Sequence, residues 1–234
     1  MNRLSAMLLC DLRLQWRNGF YAVTAFVLVF WLVLFSQLPG FSANGLLAGV
    51  LVFNLLLTSF YYIGGLVLLE KGEGTLEAQV VTPLRTGEYL ASKLVTLAVL
   101  TLAENLCLVM IVTRLRFAVL PLVLGVLLAA GLLVLTGFLA VIRYDAINEY
   151  LLPSVGYMFV LTLPALALLL GWQGWGWYLH PLHAPLVLLR AAFAPAPAWE
   201  WAYGVGYSLL WLAAALAACR QAFHRFVVGR EGVH

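Results

Sequence analysis

Seven of the chain's 23 Lys, Arg, Asp and Glu residues lie within positions 68–93, LLEKGEGTLEAQVVTPLRTGEYLASK: Glu70, Lys71, Glu73, Glu77, Arg85, Glu88 and Lys93. Carboxylates and amines crowded into one polar stretch between apolar runs suit ionic docking against a partner more than bond-making. A second group of polar residues lies inside the apolar runs. Glu104 is the one carboxylate deep in such a run, beside Asn105, and Asn54, Thr58, Ser59, Tyr61 and Tyr62 share another. An ionisable side chain in hydrocarbon is costly and faces a cavity or a partner. Glu104 could therefore bind a cationic group, pair with Arg114 or Arg116, or make a contact between subunits. His180 and His183 form HPLH, which supplies two metal ligands where a zinc site needs three or four, so no metal is expected. Neither H-E-x-x-H nor G-x-S-x-G occurs. The only lysines, Lys71 and Lys93, follow Glu70 and Ser92, so there is no Gly-Lys-Ser/Thr phosphate loop and ATP hydrolysis would need another polypeptide.

The elements that must position these residues follow from composition. Of 234 residues 64% are hydrophobic and 10% charged, with a mean hydropathy of +1.00. Soluble domains use about 45–50% apolar and about 25% charged residues, so the solvent for most of this chain is lipid. A net charge of +3 gives no footing for nucleic acid. A helical span needs about 20 apolar residues, and six stretches qualify, at about 20–38, 46–69, 89–113, 118–142, 151–171 and 201–219. Polar breaks separate them, including QLPGFSAN, RLRF and RYDAINEY. With an even number of spans both termini share one side. Assigning that side to the cytoplasm puts ten Lys and Arg inside and three outside (Arg114, Arg116 and Arg190), which favours both termini in the cytoplasm. Cys10, Cys107 and Cys219 are scattered and read as ordinary small apolar residues, not a disulfide framework. The first apolar run has no small-residue cleavage site, so no cleavable signal is expected.

Residues 1–18 read as an interfacial helix, with Leu4, Leu8, Leu12 and Trp16 along one side and Arg3, Arg13 and Arg17 on the opposite arc towards anionic head groups; a merely basic tail is the alternative. The 70–88 segment is a cytoplasmic loop. Gly72 and Gly74 stop the second span, Thr75 is a possible N-cap for a short helix over 75–81 with Leu76, Val80 and Val81 as its apolar ridge, and Thr82-Pro83 ends it. Thr86 and Glu88 then start the third span. An exposed acidic helix of this kind can dock into a cleft on a soluble protein; a simply solvated loop is the alternative. The external 172–200 segment holds Trp172, Trp175, Trp177, Tyr178 and Trp199, aromatics that favour a membrane–water boundary. Within it APLVLLRAAF is too short to cross and is expected to dip into the outer leaflet as a re-entrant or interfacial helix. Gly204, Gly206, Ala214 and Ala218 are expected to allow close packing of the last span.

The loop LLEKGEGTLEAQVVTPLRTGEYLASK resembles the motif of ABC-2 type transporter permeases: an acidic residue closing the second span, then G-T-L-E, T-P-L, E-Y-L and a Lys. DLRLQWRNGFY resembles the family's connecting helix, and LHAPLVLLRAAF the external segment before its last span. Within the family the chain is most similar to small drug-export permease subunits of the fluoroquinolone-export kind. The resemblance implies an all-α membrane protein with the ABC-2, type V exporter-like, fold: six transmembrane helices behind an N-terminal amphipathic helix, in the inner (plasma) membrane. It implies a half-transporter that pairs with a second permease subunit, as homodimer or heterodimer, and rests on an ABC ATPase subunit. That partner would carry ATP and magnesium, and this chain would bind no cofactor. The positions matching the family's coupling region are Glu70, Gly74, Thr75, Leu76, Glu77, Thr82, Pro83, Leu84, Glu88, Tyr89 and Lys93. Asn148 and Glu149 resemble the second cytoplasmic contact, with plain helix capping as the alternative. Glu104, Asn105, Asn54, Thr58, Ser59 and Tyr62 are the expected substrate path for a hydrophobic or amphipathic cargo. Alternatives are a permease for a lipid-linked or haem-maturation substrate and a non-transporting membrane scaffold.

Overall fold

The computed structural model describes residues 3–37, 43–75, 86–172, 174–223 and 225–226. Among them there are helices and turns and no strand; a helix pairs each backbone group within its own segment, as lipid demands. Helix α1 (Arg3–Arg17) meets α2 (Phe20–Ser36) at 62°. Gly19 makes this elbow, with φ +75, a left-handed conformation that a Cβ would oppose. Helix α3 (Ala43–Leu55), a π turn (Leu56–Tyr61) and α4 (Tyr62–Gly72) form one continuous rod, which Gly74 ends at φ +67. Then come α5 (Thr86–Thr113), α6 (Val119–Val141), α7 (Ile147–Leu169), a 3-10 turn (Trp175–Leu179), α8 (His183–Ala191) and α9 (Ala198–Phe223).

Five of these rods are long and apolar enough to cross a membrane: Leu46–Gly72, Thr86–Thr113, Val119–Val141, Ile147–Leu169 and Ala198–Phe223. Even the shortest, at 23 residues, is about 35 Å long against a hydrocarbon core of about 30 Å. Helix α2 is apolar apart from Tyr21, Thr24 and Ser36 but has 17 residues, the lower limit for a span; counted with α1 as a bent pair it brings the total to six.

The core lies around α6, which touches α4, the π turn, α5, α8 and α9. Gly137 lets α6 cross the π turn closely: a Cβ there would come within 2.6 Å of Ile63 Cγ2 and 2.8 Å of the Phe60 carbonyl oxygen. On the last span only one of the two glycines singled out above makes such a contact. Gly204 abuts Leu188, whereas Gly206 has nothing within 4 Å of its would-be Cβ and faces outwards.

Two other features add to the sequence reading. Helix α8 packs on protein: Ala184 to Leu189 are all buried against α3, α6, α7 and α9, and the Ala192 carbonyl accepts from the Ala118 amide 2.8 Å away. On α1 the face that packs on protein lies away from the leucine side. Leu4, Leu12 and Trp16 are exposed, and Met7, Asp11 and Gln15, at i, i+4 and i+8, are buried. The apolar stripe is left to face lipid while the polar ridge packs on protein.

Candidate coupling and permeation sites

The buried ridge of α1 leads to the densest charge cluster in the chain. Lys93, 1% exposed, reaches from the second turn of α5 to Asp11 on α1, at 2.5 Å, and to Glu70 at the end of α4. Each carboxylate uses its second oxygen as well: Ser92 Oγ donates to Asp11 Oδ2 at 2.5 Å and Tyr89 donates to Glu70 Oε2 at 2.7 Å. Beside them Gln15 donates to Thr96 at 3.0 Å. Charges this far from water are held only by pairing and by filling the remaining lone pairs, and here both conditions are met. The cluster fastens three elements together at the mouth of the 76–85 segment. Glu70 and Lys93 belong to the loop motif, but Asp11 was not singled out as a site residue. Its signal is that it is the only acid before Glu70, four residues from Gln15 on the helix side opposite the leucines.

Two further links brace this end. Arg17 pairs with Glu73, tying α1 to the turn after α4. Lys71 Nζ donates to the Ile142 and Tyr144 carbonyls at 2.6 and 2.7 Å and to Asp145 at 3.1 Å, so α4 is joined to the loop between α6 and α7. Thr75 donates to the Glu70 carbonyl at 3.1 Å, which seals the end of α4. Glu88 lies in the first turn of α5. Leu76, Glu77, Thr82, Pro83 and Leu84 lie outside the described residues. Asn148 and Glu149 are exposed in the first turn of α7 and do not cap it, since Ala146 holds the N-cap position without a side-chain bond.

Eleven residues beyond Lys93, about 16 Å along α5, lies the second polar group. Trp31 Nε1 donates to Asn54 Oδ1, and Asn54 Nδ2 to Asn105 Oδ1, each at 3.1 Å. Asn105 donates in turn to the Thr101 carbonyl at 2.8 Å, and the Ser59 and Thr101 hydroxyls are 3.2 Å apart. Thr58 donates back to the Asn54 carbonyl. Tyr62 belongs to the α2 side of this belt, its hydroxyl 3.0 Å from Thr24. All six residues expected to line a path are thus buried within this one chain. Five have partners. Glu104, 3% exposed, has none for either carboxylate oxygen. Asn54 and Thr58 are its polar neighbours: the Thr58 hydroxyl donates to the Asn54 carbonyl, and Asn54 Nδ2 spends one of its two N–H groups on Asn105. Arg114 and Arg116 are exposed and neither pairs with it.

At the opposite end the two histidines have structural partners. Pro164 cannot donate to the carbonyl four residues back, Val160, and His180 Nε2 takes that place at 3.2 Å. The Leu182 amide donates to His180 Nδ1, so both ring nitrogens are used. Among the described residues no group of three or more His, Cys, Asp or Glu could hold a metal ion.

Five helices long and apolar enough to cross a membrane, up to six with the bent pair, and a buried hydrogen-bonded belt among them are the make-up of a polytopic membrane protein. The sequence pattern of the fluoroquinolones export permease protein family matches residues 2–231, and the chain belongs to that family. Two curated proteins called fluoroquinolones export permease protein, from Mycobacterium tuberculosis strains CDC 1551 / Oshkosh and ATCC 25618 / H37Rv, are each 34% identical to it over 237 residues, covering 100% of both chains. No solved structure matches.

Proposed function

We propose that the chain is the membrane subunit of an ATP-binding cassette exporter, carrying amphipathic drug-like molecules of the fluoroquinolone kind out of the cytoplasm. The names of its relatives support the cargo class, and the ten-to-three distribution of Lys and Arg supports termini, and hence the 70–88 loop, in the cytoplasm. The observation that carries the reading is the Asp11–Lys93–Glu70 cluster. It ties α1, α4 and α5 together at the ends of α4 and α5 that flank residues 76–85. A separate ATPase that grips this segment would move three elements with a single push, and Lys71 would pass the motion to the α6–α7 loop. Glu104 is the group in the belt left for cargo: its carboxylate receives the ammonium of an amine-bearing drug when the spans part.

The test is to purify the chain with its ATPase partner and a second permease subunit in liposomes. Cargo should stimulate ATP hydrolysis, and Glu77→Arg should abolish that stimulation while the chain stays folded. Glu104→Gln should cut export of a cationic fluoroquinolone at least about tenfold with basal ATPase activity retained. Unchanged export by Glu104→Gln removes the cargo role of this residue, and ATPase activity indifferent to both cargo and Glu77 removes the coupling reading.

A further inference from the structure

A cavity of about 1080 Å³ opens between the ends of α7, α8 and α9, at the end of the molecule opposite Lys93. Its volume is ample for a drug-sized ligand, for which pockets of about 300–1,000 Å³ are usual. Indoles make much of its wall: Trp172, Trp175, Trp177 and Trp199. Three of them are more than half exposed, Trp175 at 90%, so their faces are not consumed by the core. Flat π surfaces of this kind hold a flat ring. Two formal charges also line the pocket. Arg190, in the last turn of α8, and Glu200, in the first turn of α9, make no ion pair with each other, and neither side chain has a hydrogen bond among the described residues. His183, also in the wall, carries no charge at neutral pH: burial, with Arg190 and His180 nearby, pushes its pKa down to about 4. The pocket therefore presents one cation, one anion and a set of aromatic faces.

We propose that this pocket is a second binding site for a planar aromatic zwitterion, with Arg190 taking its carboxylate and Glu200 its ammonium. The guanidinium fork matches a carboxylate bidentately, and the indoles sandwich the ring. Under the topology proposed above, on which the sidedness of this inference rests, the pocket faces the outside. Cargo that has left Glu104 is then held here before release, and drug added from outside reaches it without ATP.

The test uses the full chain alone, in detergent and without an ATPase, titrated into ciprofloxacin and followed by the drug's fluorescence anisotropy. Arg190→Gln and Glu200→Gln should each weaken binding by about tenfold or more, the scale of one lost charge-assisted bond, and Arg190→Lys should fall between Gln and wild type. A decarboxylated analogue should bind wild type weakly and Arg190→Gln no worse. Binding by both Gln variants equal to wild type overturns the proposal. So does full competition by phosphatidylethanolamine, whose phosphate and ammonium offer the same charges without the ring; the pocket would then be a lipid site. Binding that persists while ATP-dependent export fails leaves the pocket standing and defeats the exporter reading, and loss of binding with intact export does the reverse.

Discussion

At the scale of single residues, Lys93 is the side chain on which most depends. Removing it leaves Asp11 and Glu70 facing each other, buried and unpaired. Deleting one partner of a buried ion pair costs about 3–5 kcal/mol. Lys93→Met should therefore destabilise the chain by about that amount in an SDS-unfolding titration. The combined change Asp11→Leu, Lys93→Met and Glu70→Leu with Tyr89→Phe and Ser92→Ala, which also removes the two hydroxyls that donate to the carboxylates, should recover most of it, because a packed apolar set needs no compensation. A loss under about 1 kcal/mol for Lys93→Met alone would mean that the cluster is open to water. Glu70 and Lys93 were visible in the sequence as charges at the ends of apolar runs. Asp11 was not, because the leucine stripe beside it is the stronger amphipathic signal, and in lipid an apolar stripe does not say which side meets protein. Glu104 could be read as isolated in its span, but the exclusion of Arg114 and Arg116 needed the positions of both side chains.

Helices were the most legible level, since runs of apolar residues fix their existence; the break RLRF falls between two rods, while RYDAINEY runs on into the first turn of α7. Two details were hidden for physical reasons. The π turn over Leu56–Tyr61 adds a residue to one turn without any Gly or Pro to announce it. The burial of α8 depends on small residues in other helices, such as Gly125, whose Cβ would come within 2.9 Å of Leu189. Composition alone shows that a glycine permits close contact but not whether anything comes close. Gly137→Ala should cost about 1–3 kcal/mol, as overpacking does where backbone and a branched side chain both stand in the way. Gly206→Ala, with open space around it, should leave the unfolding midpoint unchanged or slightly higher. Equal effects at the two positions in parallel melts would contradict the crossing of α6 on the π turn.

For the whole molecule the decisive question is which way up it sits. Trp175 is 90% exposed at one end and Glu73 lies at the other, on the turn after α4. In intact cells a membrane-impermeant maleimide should label Trp175→Cys at once and Glu73→Cys only after permeabilisation; the reverse pattern would put the 70–88 loop out of reach of any cytoplasmic ATPase. The basic side chains point to this orientation from sequence alone, but the packing between rods is not written in hydropathy, which is nearly uniform around each span. The joint at Gly19 has a consequence at this scale. Because α1 lies at 62° to α2 and is pinned near its middle by Asp11, the two form a bell crank. A sideways shift at the pin is turned through the corner into a lean of the upright arm, and the upright arm carries Trp31, the residue that closes the hydrogen-bonded belt.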